Sequence, residues 1–309
     1  MAEIFKSGSL RSAGLLAGAS CAFGVFDGVH TGHRYLIDEA IRTASASGGA
    51  SVALTFDIDP DELLHANRLK KLLGNADRID MLSRTGVDAV VVISFTPSFA
   101  SELPGEFLET TFGKSAPAHL HVGHDFRFGA KASGTVENLQ EWSACSGTAI
   151  HAHSLVSSDG TPITATRIRL LLLDGDLDEA NQLLGYPYTL TDVVTPGRGD
   201  GAAFGFATAN MEIAANKRVL AEGVYGGYAM VGDERYRAAI AVGVSPLFKA
   251  ESTANVEVHL LDFEGDLYGR TLSVQFLHRI RPMTEFASTE ELVATVLDNI
   301  EWVRNNLPL

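Results

Sequence analysis

The sequence predicts an α/β domain built on a parallel sheet, followed by a small antiparallel β-barrel closed by one helix. Three observations carry this. Between residues 20 and about 185, short β-rich runs alternate with helical patterns, the signature of βαβ units. Runs such as "AVVVI" (89–93) are apolar without alternation, which fits strands covered on both faces. After "LLGYPYTL", strand-like runs follow one another across Gly, Pro or charged turns, as in a small barrel. The change of pattern puts a boundary near 185–188, at Gly185 and Pro187, and domains at 1–185 and 186–309.

In order, "SCAFGVFD" is a strand followed by a helix near 33–47, and "SVALTFD" precedes a helical 75–86. "DAVVVISF" leads to a helix near 97–112, and "AHLHVGHDF" to one near 134–145. "TAIHAHSLV" precedes helices from 164 to 184. The second half offers "YTLTDVVTPG", "GVYGGYAMVG", "YRAAIAVGV", "NVEVHLLDF" and "LSVQFLHRI" as strands. The closing "STEELVATVLDNIEWVRNNL" is helical, opened by a capping box at Ser288 and Glu291.

A chain of 309 residues can bury two ordinary cores. Its 46% apolar and 20% charged residues are the composition of a soluble globular protein. Without a run of eighteen apolar residues, no membrane span is expected, and the N-terminus reads as mature sequence. Cys21 and Cys145 are too few for a disulfide framework and read as reduced thiols, which places the protein in the cytoplasm. With 38 acidic against 24 basic side chains, the net charge of −14 disfavours nucleic acid. Any anion bound should be small and held in a local pocket. Oligomeric state is not indicated.

The stretch "GVFDGVHTGH" places His30 and His33 at the carboxyl end of a strand, where ligands bind in open parallel sheets. Gly28 and Gly32 permit tight turns and close approach of a ligand to the backbone. The helix that follows turns unpaired N–H groups and partial positive charge toward whatever lies in front of it. Phosphate chemistry is the preferred reading, with a metal and a purely structural role as alternatives. A metal would need a further ligand. His65, His119, His121, His124, His151 and His153 are available, but none stands at a zinc-motif spacing.

"FDGVHTGH" resembles the His-x-Gly-His signature of nucleotidylyltransferases, and "GVFDGVHTGH" in particular that of the prokaryotic bifunctional riboflavin kinase/FAD synthetases. Four more stretches resemble that family in order: "VGHDFRFG" (122–129), "ITATRIR" (163–169), "FGFATAN" (204–210) and "VEVHLLDFEGDLYG" (256–269). The resemblance covers nearly the whole chain. It implies a Rossmann-like nucleotidylyltransferase domain and a riboflavin-kinase-like barrel, with ATP, Mg²⁺ and the flavins riboflavin, FMN and FAD as the small molecules handled.

Under that resemblance the first domain joins FMN to ATP and releases pyrophosphate. The FMN phosphate is already a nucleophile, so catalysis is positioning and charge stabilisation. His30 and His33 would act on the phosphates, with Gly24, Phe26, Asp27, Gly28 and Gly32 forming the loop. Thr166, Arg167 and Arg169 would contact the β- and γ-phosphates. Asp125, Phe126, Arg127 and Phe128 would frame the flavin ring. In the barrel an alcohol must lose its proton, and Glu257 is the base by resemblance. Thr208 and Asn210 are hard oxygen donors for Mg²⁺, and Gly197, Gly199 and Gly201 would cover the ATP phosphates. The alternative is an adenylyltransferase whose barrel only binds flavin or is structural, or a non-catalytic flavin-nucleotide sensor.

Several positions depart from the family pattern. Asp59 stands where a histidine is expected, and a carboxylate there would repel phosphates. His124 replaces a Glu and Ala165 a Ser. In the barrel Ala207 replaces a Pro, Asp200 and Ala202 flank Gly201 in place of arginines, and Ala241 and Ser245-Pro246-Leu247 replace an Asn and an Arg-Pro-Thr. Fewer cations there should weaken ATP binding, while Thr208, Asn210 and Glu257 keep the minimum the kinase chemistry needs.

Overall fold

The computed structural model describes residues 1–7, 14–64, 70–197, 201, 204–213, 217, 220–243 and 255–308. The chain divides into two compact units, Met1–Leu69 with Gly74–Ala165, and Lys70–Leu73 with Thr166–Leu309.

The first unit contains strands β1 (Glu3–Lys6), β2 (Ser20–Phe23), β3 (Ser51–Phe56), β4 (Ala89–Ile93), β5 (His119–Gly123) and β6 (Ala149–His153). Helices α1 (Thr31–Ser47), α2 (Pro60–Leu64), α3 (Asn75–Ser83), α4 (Pro97–Ala100), α5 (Pro104–Phe112) and α6 (Val136–Ser146) connect them. The sheet order is β1-β4-β3-β2-β5-β6, and every pairing is parallel. The expected open parallel sheet is present. Strands β3 and β4 are buried at every position, which accounts for their unalternating sequence. The chain runs from β2 outward through β3 and β4, then returns to lay β5 on the other side of β2. Connections after β2 and after β5 therefore leave in opposite directions, which opens a crevice at their carboxyl ends.

Some local expectations are corrected. The span 97–112 is two helices, because Pro104 opens the second one and Leu103 N donates to Glu106 Oε2 at 2.8 Å. Strand β1 was not anticipated; its four residues are mostly exposed and carry almost no pattern. A small hairpin, β7 (Ser157–Ser158) with β8 (Thr161–Pro162), follows β6.

In the second unit the helical span 164–184 breaks at Gly175 (φ 82°) into α7 (Ala165–Asp174) and α8 (Leu177–Leu184). Asp176 caps the latter, accepting from Glu179 N. Both helices join the barrel's unit. Asn181 Nδ2 donates to Phe276 O at 2.9 Å, and Ala221 N to Leu172 O at 2.8 Å. This moves the compact division to residue 165/166, ahead of the boundary the composition suggests.

The barrel is closed and antiparallel, in the order β10-β13-β12-β11-β14-β9. Its strands are β9 (Tyr188–Thr195), β10 (Ala209–Glu212), β11 (Gly223–Val231), β12 (Glu234–Val242), β13 (Asn255–Leu260) and β14 (Thr271–Arg281). Strand β10, which begins inside the "FGFATAN" stretch, is the sixth stave. The terminal helix α9 (Thr289–Asn306) is capped at Ser288, whose side chain accepts from Glu291 N. Glu291 returns its carboxylate to Ala287 N at 2.8 Å, one residue before the cap. Ile300, Val303 and Leu307 of the closing segment bury against Phe206, Tyr228 and Leu261. Gly226 on β11 makes room: a Cβ there would lie 2.9 Å from the Trp302 ring.

Candidate active sites

The first site lies at the switch point of the parallel sheet. A cleft of about 220 Å³ is lined by Phe23 at the end of β2 and Gly24 and Phe26 after it, by Gly123, Asp125 and Phe126 at the end of β5, and by His30 and His33. His153 and residues 154–156 and 163–165 complete it. The loop between β2 and α1 is tightly wound. Phe26 (φ 60°), Gly28 (φ 78°) and Val29 (φ 36°) all take positive φ. That conformation is unusual for Phe and rarer still for a β-branched residue, and such backbone is tolerated where a site over-determines it.

The supporting group is Arg78 of α3, only 1% exposed. Its Nη1 donates to Val25 O at 2.8 Å and Thr55 Oγ1 at 2.6 Å, and its Nη2 to Phe56 O at 2.8 Å. One guanidinium thus ties together the ends of β2 and β3 that launch the loop. Burial lowers its proton affinity, while Asp59, Asp27, Glu62 and Asp57 oppose that shift. No local spacing identifies Arg78 in the sequence, because its partners stand 22 to 53 residues away.

His30 is 4% exposed and caps α1: its Nδ1 accepts from His33 N at 3.3 Å. The ring proton of His30 therefore sits on Nε2. His33 Nδ1 is enclosed and meets no hydrogen-bond partner among the described residues. An orphaned buried donor is costly, so the neutral ring keeps its proton on Nε2 as well. Burial, then the neighbouring His30 and Arg78, hold the His33 pKa well below its usual range. Phe26 stands edge-on to His33, with ring centroids 5.4 Å apart. The helix start, with its N–H groups and two imidazole donors, is suited to oxygen-rich anions.

The other expected residues distribute unevenly. Asp27 and Gly28 are buried within the loop. Asp125 and Phe126 line the cleft, whereas Arg127 and Phe128 do not. Phe128 is buried against Phe107 in the core, and Arg127 is exposed. Asp59 is 8% exposed and does not line the cleft; its Oδ1 accepts from Asp61 N at 2.9 Å at the start of α2. Burial raises its pKa. Its carboxylate is engaged at that helix start, with the Arg78 charge nearby. His124 is exposed, and Ala165 lines the cleft.

Thr166, Arg167 and Arg169 belong to the second unit. Thr166 is exposed, and Arg167 is ion-paired with Glu179 of α8.

The barrel site groups residues from adjoining strands. Asn210 on β10 pairs in register with Glu257 on β13, and Glu257 with Ala241 on β12. Val256 and Val258 fill the barrel interior, so Glu257, alternating with them, stands on the outer face beside Asn210. His259 Nδ1 lies 2.9 Å from Ala207 O, pinning the turn that leads into Thr208 where proline is absent. A Cβ on Gly197 would collide with the Asn210 amide. Gly201 O accepts from both Phe204 N and Phe206 N, at 3.1 and 3.0 Å. Gly199, Asp200, Ala202 and Ser245-Pro246-Leu247 lie outside the described residues.

A helix start bearing imidazole donors at a sheet's switch point, in a chain that also carries a barrel with paired Asn and Glu, is the equipment of a nucleotide-dependent transferase. Family models for FAD synthetase and riboflavin kinase match residues 14–167 and 184–307 respectively. A bifunctional riboflavin kinase/FMN adenylyltransferase of Listeria monocytogenes is 31% identical, the match covering 88% of this chain and 87% of the relative. One from Bacillus subtilis is 30% identical over 89% and 88%, and one from Escherichia coli 31% over 90% of each chain. A Streptococcus pneumoniae crystal structure described as a macrolide-efflux protein superposes with a TM-score of 0.83 at 30% identity, covering 98% of this chain and 99% of that one. Among the described residues here, no helix is long and apolar enough to cross a membrane. The chain belongs to the bifunctional riboflavin kinase/FMN adenylyltransferase family.

Proposed function

We propose that this chain phosphorylates riboflavin to FMN at the barrel and adenylylates FMN to FAD at the cleft, using ATP in both steps. The observation that carries the reading is the pair of stacked imidazoles, His30 and His33, lining the switch-point cleft at a helix start. In adenylyl transfer these donors meet charge that develops as pyrophosphate leaves the α-phosphorus, and no general base is required. Gly24, Phe26, Asp27, Gly28 and Gly32 shape the loop that receives the phosphates. Asp125 and Phe126 serve the flavin, and Thr166, Arg167 and Arg169 serve the β- and γ-phosphates.

For the kinase step, Glu257 accepts the proton of the ribityl hydroxyl as that oxygen attacks the γ-phosphorus. The donor set beside it is a hydroxyl, an amide oxygen and a carboxylate, which fits Mg²⁺ rather than a softer metal. Thr208 and Asn210 would hold the ion, which supplies neutralisation of phosphate charge. Gly197, Gly199 and Gly201 belong to the loop over those phosphates. The domains are assigned as 1–185 for adenylyl transfer and 186–309 for phosphorylation. With its acidic charge and thiols it is assigned to the cytoplasm, with flavins and ATP rather than nucleic acid as partners.

The test is chromatographic. Purified protein with ATP and Mg²⁺ is supplied with riboflavin in one reaction and FMN in another. FAD from both supports the bifunctional reading. FAD from FMN alone removes the kinase, and no flavin nucleotide from either overturns the proposal.

A further inference from the structure

Strands β5 and β6 carry histidines at alternate positions, His119 and His121 on one and His151 and His153 on the other. The parallel register sets His121 beside His151 and Gly123 beside His153. The four rings form a ladder. His119 Nδ1 and His151 Nε2 are 3.1 Å apart, His121 stacks on His151 with centroids 4.4 Å apart, and His121 Nδ1 lies 3.0 Å from His153 Nε2. The last rung, His153, lines the cleft.

A hydrogen bond between two imidazole nitrogens holds one proton, and the surroundings decide which ring owns it. His121 is 1% exposed, and its Nε2 is enclosed without a partner among the described residues. A proton on that Nε2 would be an orphaned donor. With its N–H on Nδ1 the ring gives its only proton to His153 Nε2, and only a lone pair is left unmet. His153 must then carry its own proton on Nδ1.

The groups around His153 keep it neutral. Burial lowers the pKa of His121, His151 and His153, and the histidine neighbours lower the first two further. Glu39 on α1 pulls weakly the other way, Tyr35 stands edge-on at 5.7 Å, and Asp125 folds its carboxylate back over Gly123. The adjoining cleft walls include Leu36, Leu155, Val156 and Ile163. A neutral donor among apolar walls suits a flat heterocycle with a ring-nitrogen acceptor better than a phosphate.

We propose that His153 donates its Nδ1–H to a ring nitrogen of the ATP purine, and that His121 is a positioning residue that fixes the tautomer of His153. This inference rests on the adenylyltransferase reading of the cleft.

The test compares FAD formation from FMN by the full chain with ATP and with 1-deaza-, 3-deaza- and 7-deaza-ATP, each lacking one ring nitrogen. One analogue should lose about 3- to 10-fold in kcat/KM, mostly through KM, as for one neutral hydrogen bond. His153→Leu should lose a similar factor with ATP and show no further penalty with that analogue. His121→Leu should raise the KM for ATP. His121→Asn, whose amide N–H replaces Nδ1–H, should restore it. FMN formation from riboflavin by the same variants reports on folding. A KM for ATP within twofold of wild type in His153→Leu overturns the proposal, as does an analogue penalty that persists in that variant. Should the wild-type chain make no FAD, the adenylyltransferase reading fails separately. Calorimetric titration with ATP and the three analogues then decides: selectivity abolished by His153→Leu supports the contact, and unchanged selectivity overturns it.

Discussion

The imidazoles of His30 and His33 lie face to face, with centroids 3.5 Å apart and planes 17° from parallel. Gly32 between them makes this possible, since a Cβ there would come within 3.2 Å of His30 Nδ1. Two rings so close cannot both be charged at little cost, so the pair acts through neutral N–H donors. His33→Ala should lower FAD formation from FMN by about 10²- to 10³-fold and leave FMN formation from riboflavin unchanged. Initial rates with each flavin check this, and normal FAD formation in the variant would remove His33 from the chemistry.

The barrel makes the reciprocal case. Glu257→Gln should reduce FMN formation by at least about 10²-fold while FAD formation from supplied FMN continues. Gly197→Ala should have the same selectivity for a different reason: its new methyl group meets the Asn210 amide. Measuring both rates in both variants checks this, and equal loss of the two activities would contradict it.

Arg78→Met removes three hydrogen bonds from buried acceptors at Val25, Thr55 and Phe56. The expected destabilisation is about 2–4 kcal/mol, with Arg78→Lys recovering part of it. Urea denaturation followed by fluorescence measures the difference. A loss below about 0.5 kcal/mol, the level of an ordinary surface substitution, would show that the loop does not depend on this clamp.

Acid should destabilise the first unit before carboxylates titrate. Unfolded histidines take up protons near pH 6.5, whereas His121 in the fold is held down to about 3 by burial and its histidine neighbours. Between those values the unfolded chain binds more protons, so stability is full above about pH 6.5 and falls as pH falls. His33, lowered in the same direction by burial, adds to the slope. Each such histidine contributes about 1.4 kcal/mol per pH unit. Denaturation midpoints measured from pH 7.5 to 5 should fall, and His121→Leu should flatten the dependence.

The sequence made the layered plan legible where neighbours in the chain dictate structure. The unalternating "AVVVI" became a strand buried on both faces, and Ser288 with Glu291 marked the start of the last helix. His30 and His33 were legible because helix geometry and their glycines are local. Arg78 was not, since its role exists only after distant strand ends meet. Phe126 and Phe128 pack against the same core, and only their degree of burial, which local spacing does not encode, leaves Phe126 in the cleft wall. Residues 97–112 kept their helical pattern across Pro104, and the break followed from one missing N–H.

The last helix carries a consequence for how the protein is made. Val303 and Leu307 bury against Phe206 and Leu261, and Tyr228 OH donates to Pro308 O at 2.6 Å. The barrel's outer seam is thus closed by residues that are made after all of its strands. All six strands of the parallel sheet are synthesised by residue 153, so that sheet can assemble during translation at roughly 5–20 residues per second. The barrel's wall stays unsealed until residues 300–308 follow its last strand, so its apolar seam is exposed for longer than the core of the sheet.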